Sequence, residues 1–84
     1  MTKRDKMLRR FQSKPRDFTW AELVGLLEGF GYRTASSGKT GGSRVRFVHE
    51  SYPPIILHRP HPSPSLKRYQ LDQVEELLKS EGLI

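Results

Sequence analysis

A segment in the middle of the chain carries glycines, hydroxyls and cations in a pattern suited to holding a phosphate group. Residues 38–44 read Gly-Lys-Thr-Gly-Gly-Ser-Arg. Glycine lets backbone N–H groups approach a phosphate closely, and hydroxyl, ammonium and guanidinium groups donate to its oxygens. The spacing is not that of a nucleotide-binding P-loop, and a plain flexible hairpin turn is the alternative. The predicted phosphate contacts in this region are Lys39, Thr40, Gly42, Ser43, Arg44 and Arg46.

The second group that could do chemistry is the run His58-Arg59-Pro60-His61-Pro62. Imidazole suits proton transfer near neutral pH, and the neighbouring guanidinium suits a phosphate. We therefore predict His58 and His61 as proton-transfer candidates, with Arg59 and Lys67 as further phosphate contacts. A surface or structural histidine is the plainer alternative. No metal or other cofactor is predicted, because the chain has no cysteine, His49 is distant in sequence and the segment holds no carboxylate.

The charge distribution favours a polyanionic partner on one side of the protein. The net charge is +6, and residues 1–16 account for all of it, with seven basic residues against one acidic residue. Residues 17–84 are neutral in sum but polarised: the stretch 33–68 is basic and the segments on either side of it are acidic. Such a dipolar protein suits nucleic acid, although a solvated face that aids solubility would look similar.

Size and composition limit the remaining choices. Eighty-four residues form one small domain with little room for an enclosed small-molecule pocket. The sequence has no secretory signal and no apolar run long enough to cross a bilayer, so we expect a cytoplasmic protein with no membrane partner.

The elements that must position these residues follow from capping and periodicity. Thr19-Trp20-Ala21-Glu22 is a capping box that begins a helix, and Gly31 supplies its stop. Strands are predicted at 32–37, 43–49 and 55–58, and a second helix from about Tyr69 to Gly82. We thus predict an α+β fold in the order α-β-β-β-α, with two helices on one face of a three-stranded antiparallel sheet. Residues 17–84 form this domain, and residues 1–16 form a basic N-terminal arm that either folds back or becomes ordered on a partner.

The order of motifs resembles the HicA family of toxins, which are mRNA interferases of HicA/HicB type II toxin–antitoxin systems. Along the chain, a predicted helix that ends in Gly-Tyr is followed by the Gly-Lys-Thr-Gly-Gly-Ser hairpin and by a strand of alternating basic and apolar residues. A further strand, the pair Pro60-His61 and a helix that ends in Gly82-Leu83 come next. The resemblance covers roughly residues 17–84. It implies a fold like that of double-stranded-RNA-binding domains, metal-independent cleavage of mRNA that inhibits translation and growth, and silencing by a HicB-like antitoxin protein.

One position departs from the family pattern. The usual catalytic histidine follows the Gly-Ser of the hairpin, and that position here is Arg44. Arginine stays protonated and cannot act as a general base, although it can stabilise charge on a phosphorane. The candidate catalytic residues are therefore His61, His58 and Arg44. The alternatives to a ribonuclease toxin are a non-catalytic RNA-binding module of the same fold, or a disarmed relative that acts through protein interaction.

Overall fold

A computed structural model describes residues 3–35 and 44–84 of the chain. The helices are α1 (Lys3–Gln12), α2 (Trp20–Gly29) and α3 (Arg68–Ser80). The strands are β1 (Arg33–Ala35), β2 (Arg44–Val48) and β3 (Ile55–His58). They form one antiparallel sheet in the order β1-β2-β3. This is the predicted α+β architecture of the double-stranded-RNA-binding type, with one helix added before it.

The predicted capping box begins α2. The Thr19 side chain accepts from the Glu22 backbone N–H at 3.2 Å, and the Glu22 carboxylate accepts from the Thr19 N–H at 3.0 Å. The chain then reverses at Gly31, whose φ is +97°. A Cβ there would lie 2.7 Å from the His49 ring nitrogen Nε2, so the close approach of His49 requires glycine.

The core lies between the helices and the inner face of the sheet. Alternation along the strands sends Val45, Phe47, Ile55 and Leu57 inward, and the last three of these side chains are almost fully buried. The helices contribute the buried residues Phe11, Trp20, Leu23, Leu26, Leu27, Leu71, Val74 and Leu78, and the connecting segments contribute Phe18, Tyr32 and Leu66. All three helices supply core residues, so none of the helices within residues 3–35 and 44–84 covers the opposite face of the sheet.

The basic segment at the N-terminus folds back onto the domain. Its helix α1 buries Phe11 completely, and the Phe11 and Phe18 rings lie 5.7 Å apart. Of the two states considered for an arm, ordered on the domain or ordered only on a partner, the structure shows the first. The spacing of Met7, Leu8 and Phe11 suits one or two apolar turns of helix, but the strongly basic composition and Pro15 left both states open.

Two ion-pair clusters fasten this segment to the domain. The Arg10 guanidinium donates to both Glu22 carboxylate oxygens, at 2.9 and 3.1 Å, and to Asp17. The Lys14 ammonium contacts Glu75 at 2.7 Å and also Asp72. The Arg10 hydrogen bond is the main cause that lowers the pKa of Glu22 to about 2, and the Lys14 hydrogen bond lowers the pKa of Asp72.

Candidate nucleic-acid interface

The outer face of the sheet presents two arginines from the central strand. Arg44 and Arg46 are exposed, while Val45 and Phe47 between and beside them point toward the core. Strand alternation alone produces this separation, because neighbouring side chains leave opposite faces of a strand. Both guanidinium groups are therefore presented to solvent on the face opposite the three described helices.

The strand register brings a histidine opposite one of these arginines. Arg44 pairs with His58 across the β2–β3 ladder, and Arg46 pairs with Ile56 on β3 and with Ala35 on β1. Directly opposed residues share a face, and their Cβ atoms lie about 4.5–5.5 Å apart in an antiparallel pair. An imidazole and two guanidinium groups are thus neighbours on one exposed surface, with the half-exposed Ile56 beside them.

A buried glutamine holds the backbone of His58. The Gln70 side-chain amide donates to the His58 carbonyl at 2.8 Å, and its oxygen accepts from the Lys67 N–H at 3.0 Å. Gln70 is 4% exposed and is the one buried polar side chain among the described residues. It links the end of β3 to the start of α3, and so fixes the two ends of the loop that carries Arg59 and His61.

The loop between β3 and α3 is held against the start of α2. The Trp20 N–H donates to the Pro64 carbonyl and the Leu66 N–H donates to the Phe18 carbonyl, both at 2.8 Å. The Arg59 guanidinium carbon lies 5.6 Å from the centre of the Trp20 ring, within cation–π range. These contacts set the path of the loop on the domain.

The predicted site residues fall into three groups. Arg44, Arg46 and His58 lie together on the outer face of the sheet. Arg59, His61 and Lys67 are exposed on the loop that follows β3. The four hairpin positions Lys39, Thr40, Gly42 and Ser43 lie outside the described residues.

The third histidine has a structural environment. The Ser51 N–H donates to Nδ1 of His49 at 2.9 Å, so Nδ1 is the acceptor and Nε2 carries the proton. That Nε2 lies 3.0 Å from the Phe30 carbonyl, to which it donates. The ring also packs between Tyr32 and Tyr52, with centroids 4.9 and 4.6 Å away. His49 thus ties the β2–β3 turn to the end of α2.

Sequence reasoning missed Gln70 and the role of Trp20 beside Arg59. A weak signal existed for Gln70, since it stands three residues after Lys67, where a glutamine can complete half of a capping box. Trp20 gave no such signal, because its helical spacing predicts a core position and it is indeed only 7% exposed.

Within residues 3–35 and 44–84, no group of three or more His, Asp or Glu side chains is placed to hold a metal ion. A search of the same residues for a helix long and apolar enough to cross a membrane found none.

Comparison with known proteins gives one family. The family model described as the HicA toxin of bacterial toxin–antitoxin systems matches residues 20–83. The match begins with α2 and ends after α3, so α1 lies before it. Neither the curated proteins nor the solved structures gave a match. Because the family model covers most of the sequence, the chain belongs to the HicA toxin family of toxin–antitoxin systems.

Proposed function

We propose that this chain is a metal-independent endoribonuclease that binds and cleaves mRNA in the cytoplasm, and that a HicB-like antitoxin restrains it. The observation that carries the proposal is the cross-strand pair of Arg44 and His58 on an exposed sheet face, with Arg46 beside it. A phosphate held by the two guanidinium groups would lie within reach of the imidazole. Family membership supports the toxin role.

The simplest reaction uses the RNA's own 2′-hydroxyl as the nucleophile. An imidazole removes its proton, the 2′-oxygen attacks the phosphorus, and the bond from phosphorus to the 5′-oxygen breaks. A second proton donor protonates the departing 5′-oxygen, which leaves a 2′,3′-cyclic phosphate and a 5′-hydroxyl. Arg44 and Arg46 balance the extra negative charge on the phosphorane.

The two proton-transfer roles fall to His58 and His61. The family pattern favours His61 as a proton-transfer residue, because His61 stands in the Pro-His segment before the last helix. Geometry favours His58 as the group nearest the phosphate, because its register partner is Arg44. His61 lies three residues further on, in the exposed loop that also carries Arg59. The hairpin residues Lys39, Thr40, Gly42 and Ser43 and the loop residues Arg59 and Lys67 would supply further contacts to the RNA backbone.

A non-catalytic RNA-binding module is the second candidate, and one observation favours it. Arg44 occupies the position where the family pattern has a histidine, and a guanidinium cannot accept the proton. In that case the sheet would contact phosphates and 2′-hydroxyls without cutting the strand.

Cleavage and binding must be measured on the same variants to separate the two functions. We expect wild-type protein to cut a messenger transcript in the presence of a chelator, and His58→Ala and His61→Ala to lower the rate by about 10²–10⁴ while binding persists. Arg44→Ala and Arg46→Ala should weaken binding and flatten its dependence on salt. Lys79→Ala, an exposed cation near the far end of α3, serves as the matched control and should change neither quantity.

Binding without cleavage in the wild type would support the non-catalytic module and contradict the nuclease. Absence of RNA binding at physiological salt would contradict both functions and leave interaction with an antitoxin as the role of the basic face. Activity lost on chelation would contradict the metal-independent reaction.

A further inference from the structure

We propose that the exposed side of α1 is a second RNA-binding surface, which contacts backbone phosphates independently of sequence. This inference rests on the proposed RNA-binding function and extends it to a helix that precedes the family match. We call this surface the α1 stripe and define it as Lys3, Lys6 and Arg9.

The helix separates its apolar and basic residues. Met7, Leu8 and Phe11 pack into or against the core, whereas the three members of the α1 stripe are exposed. At 100° per residue, Lys6 and Arg9 fall opposite Phe11, and Lys3 continues the same row at three-residue spacing. The row presents three cations along about 9 Å of helix axis.

Two other cations of the segment neutralise the acidic helices beside it. Arg10 pairs with Asp17 and Glu22 at the start of α2, and Lys14 pairs with Asp72 and Glu75 on α3. Without these pairs, four carboxylates would face a polyanion that approached from this side. The ion pairs therefore do two things: they hold α1 in place, and they reduce the repulsion that the acidic helices would exert on RNA.

The C-terminal end of α1 and the loop of the candidate interface both lie at the start of α2. Helix α1 runs antiparallel to α2, because Arg4 lies beside Gly29 at one end and Arg10 pairs with Glu22 at the other. The start of α2 is also where the β3–α3 loop docks, through Trp20 and Pro64. An RNA strand bound at Arg59 on that loop would therefore reach the C-terminal end of α1 next.

Charge identifies the class of partner. Residues 17–84 are neutral in sum, so the net +6 that would draw a polyanion toward the protein comes from the segment that contains α1. Exposed cations on a helix, here with Asp5 as the one acidic residue of α1, suit phosphate contacts, which position a nucleic acid without specifying its bases. An acidic surface of an antitoxin is the competing occupant, and the experiment separates it from RNA.

The test measures binding of a 2′-O-methyl RNA oligonucleotide, which the proposed reaction cannot cut, by fluorescence anisotropy across a salt series. The triple variant Lys3→Gln, Lys6→Gln and Arg9→Gln leaves Phe11, Arg10 and Lys14 intact, so we expect its melting temperature to match that of the wild type. A second variant adds Glu28→Gln, Glu76→Gln and Glu81→Gln. These three carboxylates are exposed, and their removal restores the net charge to +6.

If each cation contacts one phosphate, the slope of log affinity against log salt falls by about 2 in magnitude. At 0.15 M salt, this corresponds to an affinity up to about 50-fold lower than that of the wild type. The charge-restored variant should remain weak, because the lost interactions are local contacts rather than an effect of net charge.

Equal RNA affinity of the triple variant and the wild type would overturn the inference, and so would full recovery in the charge-restored variant. Unchanged RNA binding together with weakened antitoxin binding would assign the α1 stripe to the antitoxin and overturn it as well. These failures are distinct from failure of the proposed function, in which the wild type itself binds no RNA, and Arg44→Ala and Arg46→Ala have no binding to weaken.

Discussion

Replacing Gln70 with methionine should destabilise the domain at the base of the candidate interface. Methionine has a similar length but no amide, so the His58 carbonyl and the Lys67 N–H lose their partners at 2.8 and 3.0 Å. An unpaired buried polar group costs about 1–3 kcal/mol. Both hydrogen bonds are only partly buried, so we take the lower half of that range, about 1–2 kcal/mol, for each group.

The expected loss is therefore about 2–4 kcal/mol in the free energy of unfolding. The total free energy of unfolding of a domain of this size is about 4–13 kcal/mol, so the expected loss is a large part of it. Urea unfolding followed by circular dichroism should show a midpoint lower by about 2 M or more, with a slope near 1 kcal/mol per M. Hydrogen exchange should show lost protection of the Lys67 amide.

Gln73 on the same helix provides the matched control. It is exposed, and Gln73→Met should change the unfolding free energy by less than about 0.5 kcal/mol. If Gln70→Met were as stable as this control, the glutamine would not be what joins β3 to α3, and the reasoning about how His58 is positioned would be refuted.

Three further predictions concern the N-terminal segment and the altered family position. Phe11→Ala should cost about 3–5 kcal/mol in chemical unfolding, because the ring is fully buried; a loss below 1 kcal/mol would mean that α1 is dispensable to the core. The pKa of Glu22 is lowered from 4.5 to about 2, so its stabilising contribution is present above pH 4.5 and is lost as the pH falls toward 2. The fall in melting temperature over that window should be shallower in Glu22→Gln, and parallel curves would contradict the ion pair with Arg10. Arg44→His should not raise the cleavage rate, because His58 and His61 already fill both proton-transfer roles; a rate raised by about 10²–10⁴, the worth of one proton-transfer group, would show that one of these roles is unfilled in the wild type.

Much of the fold was predictable because local signals agreed with the tertiary structure. The capping box placed the start of α2 at Trp20, and the pattern in 43–49 predicted the strand that carries Arg44 and Arg46. The bounds of β3 were also predicted as observed. In each case the pattern that determines the element is contained in a few consecutive residues.

The remaining features depend on contacts between distant residues. Pairing of Arg44 with His58 is set by the register of β2 and β3, and the turn between them contains two prolines that predict a turn without predicting its register. The attachment of α1 depends on Arg10 and Lys14 meeting carboxylates up to 61 residues away in sequence. Gln70 acts across the β3–α3 connection in the same way. Sequence periodicity contains no information about such partners.

The most direct test of the account is the chemical nature of the ends that purified protein leaves on RNA. After incubation of a defined transcript with wild-type protein, mass spectrometry should find a 2′,3′-cyclic phosphate at the end of each upstream fragment and a 5′-hydroxyl at the start of each downstream fragment. A double variant with His58→Ala and His61→Ala should produce neither end. Fragments that end in 3′-hydroxyls and begin with 5′-phosphates would contradict attack by the 2′-hydroxyl at the Arg44–His58 face.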